Sequence, residues 1–219
     1  MNKTLITSSI VILSFLTQYA SSQIPSNLII EPGFKISIFS HDLDSPRQMA
    51  EGANGTIFVG QRSGQILALL DSDSNGQVDS RRVIADNLTY STGVSIFDGD
   101  LYFSEINKIW KITNIESWLE KNSSGSPEKI LVVDDLPTDT WHGWKWLQHD
   151  LNGEIYTNVG APCNVCLLEN PRYASILKFS NGKWEYIAKG VRNSVGFDFH
   201  PTTQKLYFAD NGRDWLGDD

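Results

Sequence analysis

Apolar residues fall in short runs, each bounded by turn-forming residues, and the runs recur. One apolar-aromatic run appears four times, as Ile57-Phe58-Val59, Leu101-Tyr102-Phe103, Ile155-Tyr156-Thr157 and Leu206-Tyr207-Phe208. Three of them follow Asn54-Gly55, Asp98-Gly99 or Asn152-Gly153, and the fourth follows Pro201-Thr202-Thr203. Asn-Gly and Asp-Gly tolerate positive φ and so favour tight hairpins. A second run comes after each of the first three: Ile66 to Leu69, Ile109 to Ile112, and Ile176 to Phe179. A third follows as Val83 to Ala85, Ile130 to Val133, and Tyr186 to Ala188. A lead-in strand precedes the later units, as Val94 to Phe97, Trp144 to Leu147, and Val195 to Phe199.

Regular short strands of this kind suit either a β-sandwich or a propeller. Four strands per repeat at a period of about fifty residues is the pattern of a β-propeller blade. The expectation is therefore an all-β chain holding about four blades of an incomplete propeller. Asn114 to Lys121 is the one stretch that reads as a short helix. The fourth unit has no outer strands before Asp219. An unclosed propeller leaves sheet edges bare, so the chain reads as the N-terminal piece of a longer protein.

The first residues follow a different logic. Met1-Asn2-Lys3 is positive, Leu5 to Leu16 is mostly apolar, and Ala20-Ser21-Ser22 is small. That is a secretory signal, expected over residues 1–22 with cleavage near Ser22, followed by the propeller domain over 23–219. The apolar run is short for a membrane span, and no later segment replaces it, so no span is expected after cleavage. Export makes Asn54-Gly55-Thr56, Asn87-Leu88-Thr89 and Asn122-Ser123-Ser124 readable as glycosylation acceptors. It also favours a local disulfide for Cys163-Asn164-Val165-Cys166, against half a zinc site or a redox pair. The chain has 219 residues and a net charge of −8, which argues against a nucleic-acid partner.

Chemistry is expected where the innermost strands of a propeller begin. The repeat places Ser91-Thr92-Gly93, Trp141-His142-Gly143 and Arg192-Asn193-Ser194 at those entry loops. His142 is suited to proton abstraction, although a histidine among tryptophans also packs as core. Arg192 is suited to holding an anion or a developing negative charge. Asp71, Asp73, Asn75 and Asp79 are spaced like the front of a calcium loop, with Arg82 where its closing Glu should be. They equally make a polar turn at a blade rim. No dinucleotide, P-loop or nucleophile-elbow motif is present.

Four segments carry a family resemblance: His142-Gly143-Trp144-Lys145, Gly160 to Cys166, Gly190 to Pro201, and Asp210 to Trp215. They resemble the sorbosone dehydrogenase group, which belongs with the soluble quinoprotein glucose dehydrogenases. The similarity runs from Pro32-Gly33-Phe34-Lys35 to Asp219. It implies a six-bladed propeller that oxidises an aldose or related sugar with pyrroloquinoline quinone (PQQ) and passes electrons to an external acceptor. By resemblance His142 is the general base, and Arg192 and Asn193 are cofactor contacts. The same resemblance implies that the backbone carbonyls of Gly212 and Arg213 hold Ca²⁺.

Three departures stand out. The glucose-oxidising branch orients its base with a carboxylate nineteen positions on, where this chain has Ala161. It has Asp just before the base, where this chain has Trp141. Thr92 lies in the region of the branch's early glutamine contact. Two other functions suit the fold: a non-catalytic secreted propeller that binds carbohydrate or protein, and a Ca²⁺-dependent lactone hydrolase. The hydrolase would need converging carboxylate or Asn ligands, which the blade positions lack.

Overall fold

The computed structural model describes residue 24 and residues 27–121 and 124–215. The expected signal at 1–22 and the acceptor Asn122 lie outside the described residues.

Each repeat becomes one antiparallel sheet built in sequence order. The first blade is β1 (Pro46–Glu51), β2 (Ile57–Gln61), β3 (Gln65–Leu70) and β4 (Ser80–Ala85). The second is β5 (Val94–Phe97), β6 (Asp100–Ser104), β7 (Ile109–Ile112) and β8 (Ile130–Val133). The third is β9 (Leu147–His149), β10 (Ile155–Val159), β11 (Ser175–Ser180) and β12 (Lys183–Lys189). A two-stranded fourth sheet pairs β13 (Phe197–Phe199) with β14 (Leu206–Phe208). This is the partial, unclosed propeller the period predicts. The single described helix, α1 (Ile115–Glu120), falls inside the segment expected for it.

The repetition extends to irregularities. Ile66 pairs with Ala85 and Leu67 with Val83, which leaves Ile84 as an extra residue. Val132 and Ile187 are extra in the same way in the next two blades. A bulge at this point bends the outer strand and adds twist. Turn chemistry repeats less strictly. Asp98-Gly99, at φ 50° and 79°, closes a two-residue hairpin between Phe97 and Asp100. Asn181-Gly182, at φ 50° and 75°, does the same between Ser180 and Lys183.

Apolar faces of neighbouring blades make the core. Phe58, Ile66 and Ile84 of the first blade pack on Val94, Leu101, Phe103 and Ile112 of the second. Ile115 and Leu119, four apart on α1, add their side chains to the same cluster. Ile109 and Val133 meet Leu147, Ile155 and Leu177 at the next junction. Tyr156 and Ile176 meet Phe197 at the third. Burying each such side chain contributes roughly 1.5–3 kcal/mol, so these junctions carry most of the stability.

The inner strands are joined differently. Gln48 of β1 is buried. Its Oε1 accepts from Leu147 N at 2.9 Å and Val94 N at 3.2 Å, and its Nε2 donates to Leu147 O at 2.5 Å. One amide thus ties β1, β5 and β9 together. β1 itself was not anticipated, because its sequence, Pro-Arg-Gln-Met-Ala-Glu, lacks the aromatic signature of the other strands.

The expected inner strand Trp144 to Leu147 needs correction, since β9 begins only at Leu147. Asn158 of β10 explains the shift. Its Oδ1 accepts from Trp146 N at 2.7 Å and its Nδ2 donates to Trp144 O at 2.9 Å. A side chain has replaced the ladder there, and it holds residues 144–146 away from the sheet. Likewise β13 spans Phe197–Phe199, whereas Val195 and Gly196 stay outside it.

Candidate active site

The segment entering β9 is anchored at both ends before it reaches His142. Leu136 is buried in the core between the second and third blades. Asp135 binds Arg172 at 2.9 Å and accepts from Trp184 Nε1 at 2.9 Å, and these partners hold its carboxyl below the usual carboxylate range despite partial burial. The Tyr173 hydroxyl donates to Asp139. A turn closes through Gly143 N to Thr140 O at 3.1 Å, and His142 sits in it at φ 52°. A non-glycine residue in that region carries strain that the surrounding contacts must hold.

Two hydrogen bonds settle the His142 tautomer. Trp141 Nε1, a donor only, gives its proton to His142 Nε2 at 3.0 Å. Nδ1 therefore carries the ring hydrogen and donates to Ala161 O at 2.7 Å. The residue that replaces the branch's carboxylate orients the ring after all, through its carbonyl. Gly160 makes this possible, since a Cβ there would lie 2.5 Å from His142 Cβ. Desolvation, joined by the charge of Arg192, lowers the His142 pKa below its ordinary value against the opposing pull of the Ala161 carbonyl, Asp214 and Asp210. The ring is thus neutral at pH 7, with its lone pair on Nε2.

Ala161 also reaches Arg192. Its N–H donates to Arg192 O at 2.7 Å, so the backbone of one residue links the two candidate residues. The guanidinium points the other way. Nε and Nη2 donate to Asn164 O and Oδ1 at 3.2 and 2.8 Å. Nη1 donates to Asn211 O and Gly212 O at 3.0 and 2.9 Å, and Nη2 reaches Asp214 at 3.2 Å. Asn164 lies within the loop closed by the Cys163–Cys166 disulfide, which matches the expected pairing. Arg192 therefore fastens the disulfide loop to the 211–214 loop. Around it lies a cavity of about 400 Å³ lined by Ala161, Asn164, Arg192, Asp210, Gly212 and Arg213.

Asn193 faces elsewhere. Its N–H donates to Asp210 Oδ1 at 2.8 Å, and its own Oδ1 is buried without a partner among the described residues. It lines a second cavity, of about 450 Å³, together with Arg47, Arg62, Thr92, Trp144 and Lys145. No Asp or Glu is among the residues lining this central cavity. Arg62 lies 4.4 Å above the Trp144 ring, and Tyr90 stacks on that ring at 4.4 Å. Lys145 is buried, and desolvation pulls its amine down to about 7. Ala161, the partner of His142 Nδ1, lines the first cavity, and Trp144 and Lys145, which follow His142 in the chain, line the second.

Other expected residues lie apart from this centre. Asp71, Asp73 and Asp79 bring carboxylate oxygens within 4.8 Å of one another at the β3–β4 connection. Their oxygens accept from the loop's own backbone, at Asn75 N, Gly76 N and Ser72 N. Asn75 Nδ2 joins Asp73 at 3.0 Å. Asn54 and Asn87 are exposed, and Asn54 donates to Glu120 at 2.8 Å. The Gly212 carbonyl faces the Arg192 guanidinium, and Arg213 is exposed.

Several working residues escaped the sequence reading. Lys145 belongs to the segment His142-Gly143-Trp144-Lys145, and its alternation with Gly143 and Leu147 on the buried face was the available signal. Asn164 was visible only as a spacer between cysteines. Gln48 had no signal, because its partners lie on other blades, and Asp210 stood out only as the first residue of a resemblance segment.

No family model matches the chain. Over 209 residues it is 32% identical to an uncharacterised protein of Borreliella burgdorferi, which covers 91% of this chain and 53% of that protein. The chain thus spans about half the length of that relative. The pyranose dehydrogenase PQQ domain of Coprinopsis cinerea, in its holo form, superposes with a TM-score of 0.68 at 17% identity, over 78% of this chain and 45% of that one. A Trichoderma reesei carbohydrate-active enzyme of family AA12 gives 0.71 at 19% identity, over 85% of this chain and 50% of that one. Its calcium structure gives 0.70 at 18%, with the same coverage. These likenesses establish the propeller fold. Among the described residues no helix is long and apolar enough to cross a membrane.

Proposed function

We propose that the chain is the N-terminal part of an exported PQQ-dependent dehydrogenase of the sorbosone and glucose dehydrogenase kind, acting on an aldose or related sugar. One observation carries the reading. His142 is a neutral imidazole with its tautomer fixed through Nδ1 and its Nε2 lone pair held by the Trp141 indole, and Trp144 and Lys145 just after it line a basic cavity. The solved structures with this fold include a PQQ domain, which supports the same cofactor.

The residues present fit a tricarboxylate. The central cavity is lined by Arg47, Arg62 and Lys145, with no carboxylate among the described residues that line it. Arg47, Arg62, Lys145, Thr92 and Asn193 would hold the cofactor there. When bound, the quinone supplies the acceptor for the substrate's hydride. His142 Nε2 takes the proton from the sugar hydroxyl, and the Ala161 carbonyl stabilises the imidazolium that forms. Trp141, which now covers Nε2, must give up its hydrogen bond for the hydroxyl to enter. Arg192 fastens the two loops at the mouth and, by its charge, helps keep His142 unprotonated. The calcium expected at Gly212 and Arg213 does not fit this arrangement, because a guanidinium donates to the Gly212 carbonyl. No step is therefore routed through calcium.

The full engagement of Arg192 favours a second reading, a secreted propeller that binds carbohydrate or protein without turnover. The two part in one assay. The full-length protein, given PQQ and Ca²⁺, should reduce a redox dye with at least one aldose. Absence of dye reduction across an aldose panel would leave the binding reading. N-terminal sequencing of the exported protein should begin near Gln23, and a start at Met1 would remove the export.

A further inference from the structure

Lys145 has no task in the proton transfer, yet it is 3% exposed and lines the central cavity. Its Nζ donates to Gly143 O at 2.7 Å, the one hydrogen bond found for the amine among the described residues. Its other two N–H bonds have no hydrogen-bond acceptor found among the described residues. An ion buried with so little compensation destabilises the apoprotein, and an apolar residue of similar volume would remove that cost. Packing alone therefore gives no account of a lysine at this position.

The charges around it share one sign. Arg47 comes from β1 and Arg62 from the β2–β3 turn, and both line the cavity. The nearest titratable neighbour in sequence, His142, is held neutral. Among the described residues, no Asp or Glu lines the space.

We propose that Lys145, with Arg47 and Arg62, forms the carboxylate-docking end of the central cavity, and that Lys145 takes up a proton when a polycarboxylate binds. This rests on the PQQ reading for the identity of the ligand and on the cavity alone for its chemistry. A docking carboxylate offsets the desolvation that holds the amine near 7, so the bound lysine titrates at higher pH. Affinity should then fall by about tenfold for each pH unit above about 7.

The experiment titrates PQQ into the full-length protein between pH 6 and pH 9, following the fluorescence of the tryptophans that line the cavity. The wild type is expected to show the tenfold-per-unit loss. Lys145→Met should bind at least about tenfold more weakly at pH 6 and show no slope. Lys145→Arg should keep the affinity and lose the slope, because guanidinium stays charged. Equal affinity and equal slope in Lys145→Met and wild type would overturn the proposal and leave the PQQ reading standing. Citrate, also a tricarboxylate, is the second probe. Binding of citrate with the same Lys145-dependent slope, but no binding of PQQ, would remove the PQQ reading and keep the anion site. A wild type that binds neither probe overturns the site itself.

Discussion

The loops that enter β5 and β9 occupy equivalent places in neighbouring blades, and they have been built for different ends. The first is short and closed by buried hydroxyls that reach the segments on either side of it. Ser91 Oγ donates to Gln61 O at 3.1 Å, and Thr92 Oγ1 donates to Lys145 O at 2.9 Å, both buried. The second is long, strained at His142, and peeled from its sheet by Asn158. A repeat thus supplies a fixed axial position many times over. Which copy carries chemistry depends on whether the backbone there is paired or held open.

The largest effect that would break this contrast is at the base. His142→Ala should lower dye reduction in the full-length protein by about 10²–10⁴-fold while PQQ binding persists. The equivalent change in the closed loop, Ser91→Ala, should leave the rate within about threefold and cost about 1 kcal/mol in denaturant melts. Equal losses in rate would end the distinction between the loops.

Gly160→Ala tests the orientation of the ring. The added methyl meets His142 Cβ at 2.5 Å, so the ring must move off the Ala161 carbonyl. A displacement of that order should cut the rate by about 10²-fold. Nitrogen NMR of the imidazole should report loss of the Nδ1–H tautomer, a readout that a merely loosened fold would not give. An unchanged tautomer would remove the carbonyl's role.

Stability sharpens the comparison from the scaffold side. Gln48→Leu leaves the backbone of Val94 and Leu147 without their partner, and should cost about 1–3 kcal/mol by chemical denaturation. His149 gives a pH signature. It is buried between Phe97 and Tyr102, with Nδ1 at 3.1 Å from Ser95 Oγ, and desolvation pulls it down to about 4. Its folded pKa lies below the unfolded value, so the unfolded chain takes the proton first on acidification. Stability should fall as pH drops from about 6.5 to about 4, by about 3 kcal/mol in all, and His149→Phe should flatten that fall. The smallest effect belongs to the rim. Asp71→Ala removes acceptors for Asn75 N and Gly76 N, and should cost about 1 kcal/mol with PQQ binding unaltered.

Much of the scaffold was legible because strands advertise themselves locally. Short apolar-aromatic runs and Asn-Gly or Asp-Gly turns depend on neighbours in sequence, and they located β2, β6 and β10, while the run alone located β14. The cysteine pair was legible for the same reason, its partners being three residues apart. His142 and Arg192 could be marked as candidates from their place in the repeat. Their geometry could not, because it depends on a carbonyl at Ala161 and on acceptors at Asn164, Asn211 and Gly212. Backbone groups are the same at every position, so no residue letter announces which of them faces a ring or a guanidinium.

The sequence by itself determined the blades, their order and the axial positions open to chemistry, since hydrophobic period and turn type act over a few residues. Tertiary structure alone decided that Asn193 faces the central cavity while Arg192 turns to the loops, and that Lys145 is buried beside two arginines. Those outcomes depend on desolvation and on contacts between residues far apart in the chain, which exist only once the blades have packed.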